Sequence, residues 1–250
     1  MDVTIATIDS MPRQQKKRFI LHSKTPAFKK KIQRTLTIIE DFLDIAENPY
    51  IAVSGGKDSS VLLHLCRRIR PSLDAVHLDF HTAFPETLAL FETYENLKFV
   101  SVGSRLEMLA EGGMHDTSDK GKLRNFTPER IRAEGYDGWF YGLRREENPK
   151  KRGKHLQVHG DFFQKKDGLH VCQPIARLQY IDVWAYIVVN EIQYNELYDG
   201  MWHLPENQQR VADYALVKNA NRGTVAQLKK THPHLFNKIV KHTKEFREYL

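Results

Sequence analysis

The sequence predicts an α/β fold: a parallel sheet with crossover helices, followed by a mostly helical C-terminal extension. Three observations carry that prediction. Short apolar runs of strand length alternate with longer helical stretches between residues 49 and 192, the order expected of βαβ units. Proline and glycine fall where helices start and stop. One strand-to-helix junction, "SGGKDSS" at 54–60, concentrates glycine and polar groups between two apolar runs.

The elements follow in chain order. Residues 1–25 show little periodicity and read as an arm or mobile lead-in. From Ala27 to Glu47, the positions Phe28, Ile32, Leu36, Ile39, Leu43 and Ala46 recur every three or four residues. They form one helical stripe, which Pro49 ends. "YIAVS" is a short buried strand, and the helix behind the junction stops before Pro71. Strand 74–80, helix 85–96, strand 97–103 and a short helix from Arg105 continue the alternation. Residues 112–127 read as a long polar loop. Thr127 is the expected N-cap of the next helix, with Pro128 at its first position and Gly135 as its stop. "GWFYGL" (138–143) is a buried strand, and "RREENPKKRGK" (144–154) is expected to be a mobile loop. Residues 162–175 read as a hairpin around Asp167-Gly168. An apolar helix (180–192) and about 50 mostly helical residues close the chain.

The chain has 250 residues, 41% hydrophobic and 28% charged, as expected of a globular protein with a real core. No apolar run approaches the roughly 18 residues of a membrane span, and the first residues lack the order of a secretory signal. A cytoplasmic protein without membrane contact is expected. The net charge of +7 and pI near 9.3 point to an anionic partner. Nucleotide, nucleic acid and sulfate all qualify. Cys66 and Cys172 lie far apart and form no C-x-x-C pair, so an iron–sulfur cluster is not expected. Both occupy apolar settings and read as packing groups.

The junction has the makings of a phosphate site. A helix that begins near Asp58 presents unpaired N–H groups and a partial positive charge. Gly55 and Gly56 let the backbone approach an anion. Lys57 adds a full charge, and Ser54, Ser59 and Ser60 add hydroxyls. The spacing is not that of a Walker A loop, G-x-x-x-x-G-K-[ST], nor of G-x-G-x-x-G. Asp58 has two readings. It bridges a Mg²⁺ ion to pyrophosphate oxygens, or it caps the helix. Arg144 and Arg145 follow a buried strand, and their forked groups suit phosphate or sulfate oxygens. The alternative is surface pairing with Glu146 and Glu147.

The motif "SGGKDS" resembles the pyrophosphate-binding loop of the PP-loop, or adenine nucleotide α-hydrolase-like, superfamily. "HLDFHTAFPET" (77–87), "WFYGLRREENPKKRG" (139–153) and "PIARLQYIDVWAYIVVNEIQYNELYDGMW" (174–202) resemble, in the same order, segments of its phosphoadenosine phosphosulfate (PAPS) reductase-like family. That resemblance implies a doubly wound, Rossmann-like parallel sheet. With the periodicity along the chain, the expected organisation is an N-terminal arm over 1–26, a PP-loop nucleotide-binding domain over 27–202 and a helical extension over 203–250. The resemblance implies that Ser54, Gly55, Gly56, Lys57, Asp58, Ser59 and Ser60 hold phosphate, and that Asp79 lies where adenosine sits. Arg144 and Arg145 would reach the anionic end of the nucleotide or a second substrate.

Reductases of that family carry a nucleophilic cysteine near the C-terminus, and here no cysteine follows Cys172. The leading expectation is therefore an ATP- and Mg²⁺-using enzyme that cleaves between the α- and β-phosphates and adenylylates a small-molecule acceptor. Lys57, Asp58, Arg144 and Arg145 would carry the chemistry. One alternative is binding or reduction of a sulfonucleotide (PAPS or its relative APS) with an external thiol. Another is a nucleotide- or nucleic-acid-binding module without catalysis. A homo-oligomer is compatible with the sequence. His77 and His81 flank the second strand's end and are read as satisfied imidazoles, and "HPH" (232–234) as a helix start.

Overall fold

A computed structural model describes residues 5–110, 128–211 and 228–242. Two helices lead the chain, α1 (Arg13–Ser23) and α2 (Pro26–Leu43). Thr25 caps α2 by accepting a hydrogen bond from the Phe28 N–H, and Pro26 sits at its first position, where a missing N–H costs nothing. The expected stripe is the buried face: Phe28, Ile32, Ile39 and Leu43 are buried along it. Next come β1 (Pro49–Ala52), α3 (Lys57–Ile69), β2 (Ala75–Asp79), α4 (Pro85–Glu92), β3 (Leu97–Ser101) and α5 (Arg105–Ala110). After α6 (Pro128–Ala133) the chain forms β4 (Gly138–Phe140), α7 (Pro149–His159), β5 (Phe162–Gln164), β6 (His170–Cys172) and α8 (Tyr180–Val189). The last described element is α9 (Pro233–His242), which starts where "HPH" predicts a start. The expected loop at 112–127 and the Thr127 cap lie outside the described residues.

The six strands run in the order β3-β2-β1-β4-β6-β5. β1 pairs in parallel with both β2 and β4, β4 pairs in parallel with β6, and β5 is the antiparallel edge. This is the doubly wound α/β sheet that the sequence predicts, with the hairpin at Gly168 (φ +83°) supplying the edge. The chain steps outward from β1 to β3, then returns to the other side of β1 for β4. Strand order thus reverses between β1 and β4, and open α/β sheets bind ligands outside the carboxyl ends of the strands at such a point.

Contacts divide the chain into two compact units. The first comprises Met1–His77, Pro85–Phe99 and Pro128–Val211. Its core centres on α8, which is apolar on nearly every side, as a fully buried helix must be. Trp184 has no exposed surface. Its ring meets Phe19 (6.1 Å), Tyr194 (5.1 Å), Tyr198 (5.2 Å) and Trp202 (4.8 Å) between centroids. Asp182, also buried, ties both leading helices to α8: it accepts from His22 (2.7 Å), Lys31 (2.6 Å) and the Gln179 N–H (2.8 Å).

This corrects the expectation for residues 1–25. Residues 13–23 are helical, and Phe19 is fully buried against Trp184. The periodicity is weak because Phe19 is the one buried residue of α1. Burying that ring contributes about 1.5–3 kcal/mol, so the segment is held by tertiary packing rather than by its own pattern.

The second unit comprises Leu78–Phe84, Val100–Thr127 and Ala212–Leu250. Within its described part, the Arg105 guanidinium lies 4.0 Å from the Phe80 ring centroid. α5 packs against α9, and the rings of Phe84 and His232 are 5.3 Å apart.

Candidate active site

The chain leaves β1 at the switch point and turns through Gly55 into α3. Gly55 has φ +72°, and a Cβ there would sit 2.5 Å from Thr87 Cγ2. Both the turn and the close approach require glycine. On the β4 side, a Cβ at Gly142 would meet the Ser59 Cα and N at 3.3 Å. The backbone leaving β4 therefore lies directly against the first turn of α3, and this delivers Arg144 to the β1–α3 junction.

Lys57, Asp58 and Arg144 form one network. Lys57 is only 2% exposed. Its ammonium donates to Asp58 Oδ2 (3.1 Å) and to the Gln209 carbonyl (3.2 Å). It also lies 5.4 Å from the Tyr198 ring centroid and 5.8 Å from that of Tyr180. An ammonium out of water needs such partners, and charge-assisted bonds with two ring faces supply them. Arg144, 4% exposed, donates from Nε to Asp58 Oδ1 (2.5 Å) and from Nη1 to Glu146 (2.5 Å). Burial alone would raise the Asp58 pKa. Lys57 and Arg144 outweigh it and hold the carboxyl below its ordinary range.

Neither expected role of Asp58 matches this geometry. It makes no helix-capping bond, since α3 has no side-chain cap. Both its oxygens are engaged by cations of the protein itself, so they do not fit a Mg²⁺ bridge, and no step is routed through a metal there. Among the described residues no group of three or more His, Cys, Asp or Glu side chains is arranged to hold a metal.

The serines divide. Ser59 and Ser60 are buried and turned inward: each Oγ bonds to the Gly56 carbonyl (2.9 and 3.2 Å), and Ser60 also meets the Tyr94 hydroxyl (2.8 Å). Ser54 is exposed, with its hydroxyl 3.4 Å from the Ser59 hydroxyl. Asp79 belongs to the second unit, where its carboxylate accepts from the His81 N–H at 2.7 Å. His77 bonds to the Val53 carbonyl at 3.0 Å, a satisfied imidazole as expected.

The arginine segment also departs from expectation. Residues 145–147 form a 3-10 turn, and α7 follows in place of a mobile loop. Asn148 caps α7 by accepting from the Lys151 N–H (3.1 Å), and Pro149 takes its first position. Asn-Pro marks a loop or a helix start equally well. Arg145 lines a neighbouring groove with Lys150 and Lys154, and its backbone N–H donates to the Ala176 carbonyl. Glu147 pairs with Arg152. Tyr180, Tyr198 and Gln209 lie more than 120 residues from Lys57, and only the fold brings them to it. For Tyr198 a signal lies in the aromatic-rich stretch "YNELYD" (194–199).

Both cysteines are fully buried. Burial pushes each thiol well above its ordinary pKa, and Arg67 only partly offsets this at Cys66. Thiolate is the reactive form. The native protein is therefore expected to resist a disulfide-exchange reagent that titrates both thiols once urea is added, as followed by absorbance. A thiol that reacts at once in the native state would contradict this.

Residues 48–203 match the phosphoadenosine phosphosulfate reductase domain family. Among curated relatives, the adenosine 5'-phosphosulfate reductase of Geobacillus kaustophilus is 32% identical over 162 residues. Adenosine 5'-phosphosulfate reductase 2 of Bacillus subtilis is 29% identical over 159 residues. Each match covers 59% of this chain and 66% of the relative, so the chain spans just under two thirds of their length. Among solved structures, the PAPS reductase of Candida auris in a phosphate complex superposes with a TM-score of 0.50 at 17% identity, covering 76% of this chain and 92% of that one. At that identity the likeness concerns the fold.

Proposed function

Because the chain belongs to the phosphoadenosine phosphosulfate reductase domain family, we propose that it is a PP-loop enzyme that seats nucleotide phosphates on the N-terminal turn of α3. We further propose that it transfers the adenylyl group of ATP to an acceptor. The observation that supports this most is the buried Lys57–Asp58–Arg144 network at the switch point, in a chain whose two thiols are both sealed in the core. In this reading Lys57 and the helix N-terminus stabilise charge on the leaving phosphates. Asp58 holds Lys57 and Arg144 in place, and Ser54 donates to a phosphate oxygen. The acceptor's nucleophilic atom bonds to the α-phosphorus, the bond to the α–β bridging oxygen breaks, and pyrophosphate leaves with that electron pair.

A second reading follows from the names of the curated relatives: the nucleotide is a sulfonucleotide and an external thiol supplies the electrons. One experiment separates them. The protein is incubated with α-labelled ATP or with sulfonucleotide plus a thioredoxin-type dithiol, and the products are resolved. Pyrophosphate with AMP or an AMP adduct supports adenylylation. ADP and orthophosphate as main products would sink it, and sulfite release would favour the second reading. Under either, Lys57→Ala is expected to lower turnover about ten- to a hundredfold, since a charge-assisted contact is worth roughly 1.5–3 kcal/mol.

A further inference from the structure

A second concave surface lies beside the network, in the same compact unit. It is a groove of about 670 Å³. Arg145 enters it from the 3-10 turn, Lys150 and Lys154 from α7, and Arg177 and Gln179 from the segment ahead of α8. Among the described residues, Arg145, Lys150 and Lys154 form no ion pair and no side-chain hydrogen bond. The acid in the lining, Glu146, is already engaged by Arg144 and by the Tyr180 N–H at 2.6 Å. Arg177 shares Asp161 with Arg34 (3.1 and 3.0 Å), so that carboxylate is outnumbered. Lys31 reaches the Gln179 side chain at 3.0 Å, which continues the positive surface onto α2.

The distribution of charge selects the partner. Lys150 and Lys154 are one helical turn apart, about 6 Å along the axis, and two arginines stand apart from them. Separate cations along a groove suit a chain of repeated anions better than one small ion. Forked guanidinium groups favour phosphate oxygens. A membrane surface would need apolar side chains to insert, and none of the large exposed apolar residues lines the groove. We infer that this groove binds the phosphodiester backbone of a nucleic acid, through phosphates and without reading bases. The inference does not depend on the adenylyl-transfer reading.

The test is fluorescence anisotropy with a short labelled single-stranded RNA of mixed sequence, titrated without nucleotide over a range of salt. The wild type should show a linear fall of log affinity with log salt. Lys150→Ala/Lys154→Ala should reduce the slope by about 1.4, from a coefficient of roughly 0.7 per phosphate contact on single strands. Lys17→Ala/Lys24→Ala removes the same charge from α1 and its C-terminal cap and should leave the slope unchanged. All four lysines are exposed, and circular dichroism melts should coincide. Equal loss in both double variants, or no binding by the wild type, overturns the inference. So does displacement of the RNA by polyglutamate at equal charge, which would assign the groove to an acidic protein segment. Binding to phosphatidylserine vesicles without RNA binding would assign it to a membrane and also overturns it.

Discussion

Arg144→Ala is expected to lower the unfolding free energy by about 3–5 kcal/mol, the cost of removing one partner from a buried ion pair. The loss falls mainly on Asp58, which keeps only Lys57; Glu146 is 43% exposed and keeps the Tyr180 N–H. Urea denaturation measures it. Arg144→Lys should recover part of the loss but not all, because a single ammonium cannot serve Asp58 and Glu146 through a planar fork. In an Asp58→Asn background the same substitution should cost much less, since there is no buried carboxylate to strand. Acid gives an independent measure. The Asp58 pKa is lowered in the folded state, so its contribution is present above the unfolded value of roughly 3.9. It is lost as pH falls through the depressed folded value. Asp58→Asn should therefore flatten the acid limb of the stability curve. An Arg144→Ala protein as stable as the wild type would show that the pair is not the hinge of this network.

Trp184→Ala should cost a similar amount, about 3–5 kcal/mol, for the ring volume it removes. Its distinctive sign is local. Phe19 stacks on Trp184 at an interplanar angle of 17°, and it is the one buried residue of α1. Without that surface, α1 loses its stacked ring contact and keeps the His22–Asp182 bond, the exposed Arg18–Glu206 pair and the edge contacts of Phe19 with Tyr180 and Trp202. Hydrogen exchange in residues 13–23 should accelerate more than in α3, and trypsin should cut first among the basic residues of α1. Trp184→Phe should show both effects in weaker form. Uniform acceleration across both helices would mean that Trp184 supports the core as a whole and not α1 in particular.

These cases mark what a reader of the sequence can and cannot see. The β1–α3 junction was legible because the backbone conformation at Gly55 and its contact with Thr87 admit no other residue, and glycine records such demands openly. The sheet was legible because strand-length apolar runs alternate with helices. α1 was not, because a single phenylalanine has no period. α7 was misread because Asn148-Pro149 looks the same as a loop and as a capped helix start. Lys57 and Asp58 were visible as neighbours, but the second cation on Asp58 arrives from 86 residues away. A pairing across the switch point follows from topology, and topology is where local pattern runs out. Tyr180 and Gln209 are hidden for the same reason, whereas the pairing of Arg144 with Glu146 is local, is one of the two readings the sequence offers, and is formed.

The Tyr198 hydroxyl accepts the Lys57 N–H at 3.1 Å, and the Gln209 carbonyl accepts its ammonium. The first turn of α3 is therefore already supplied with oxygen ligands from its own chain. An anion that takes these donors performs an exchange, and its rival is tethered at a high effective concentration. The observed dissociation constant is then the intrinsic one divided by the fraction of molecules whose loop is vacated. If the junction seats an anion as proposed, affinity would be adjustable at a distance: loosening residues 198–209 would tighten binding without altering a single contact to the anion. Anything that stiffens them works as a competitive inhibitor that never leaves.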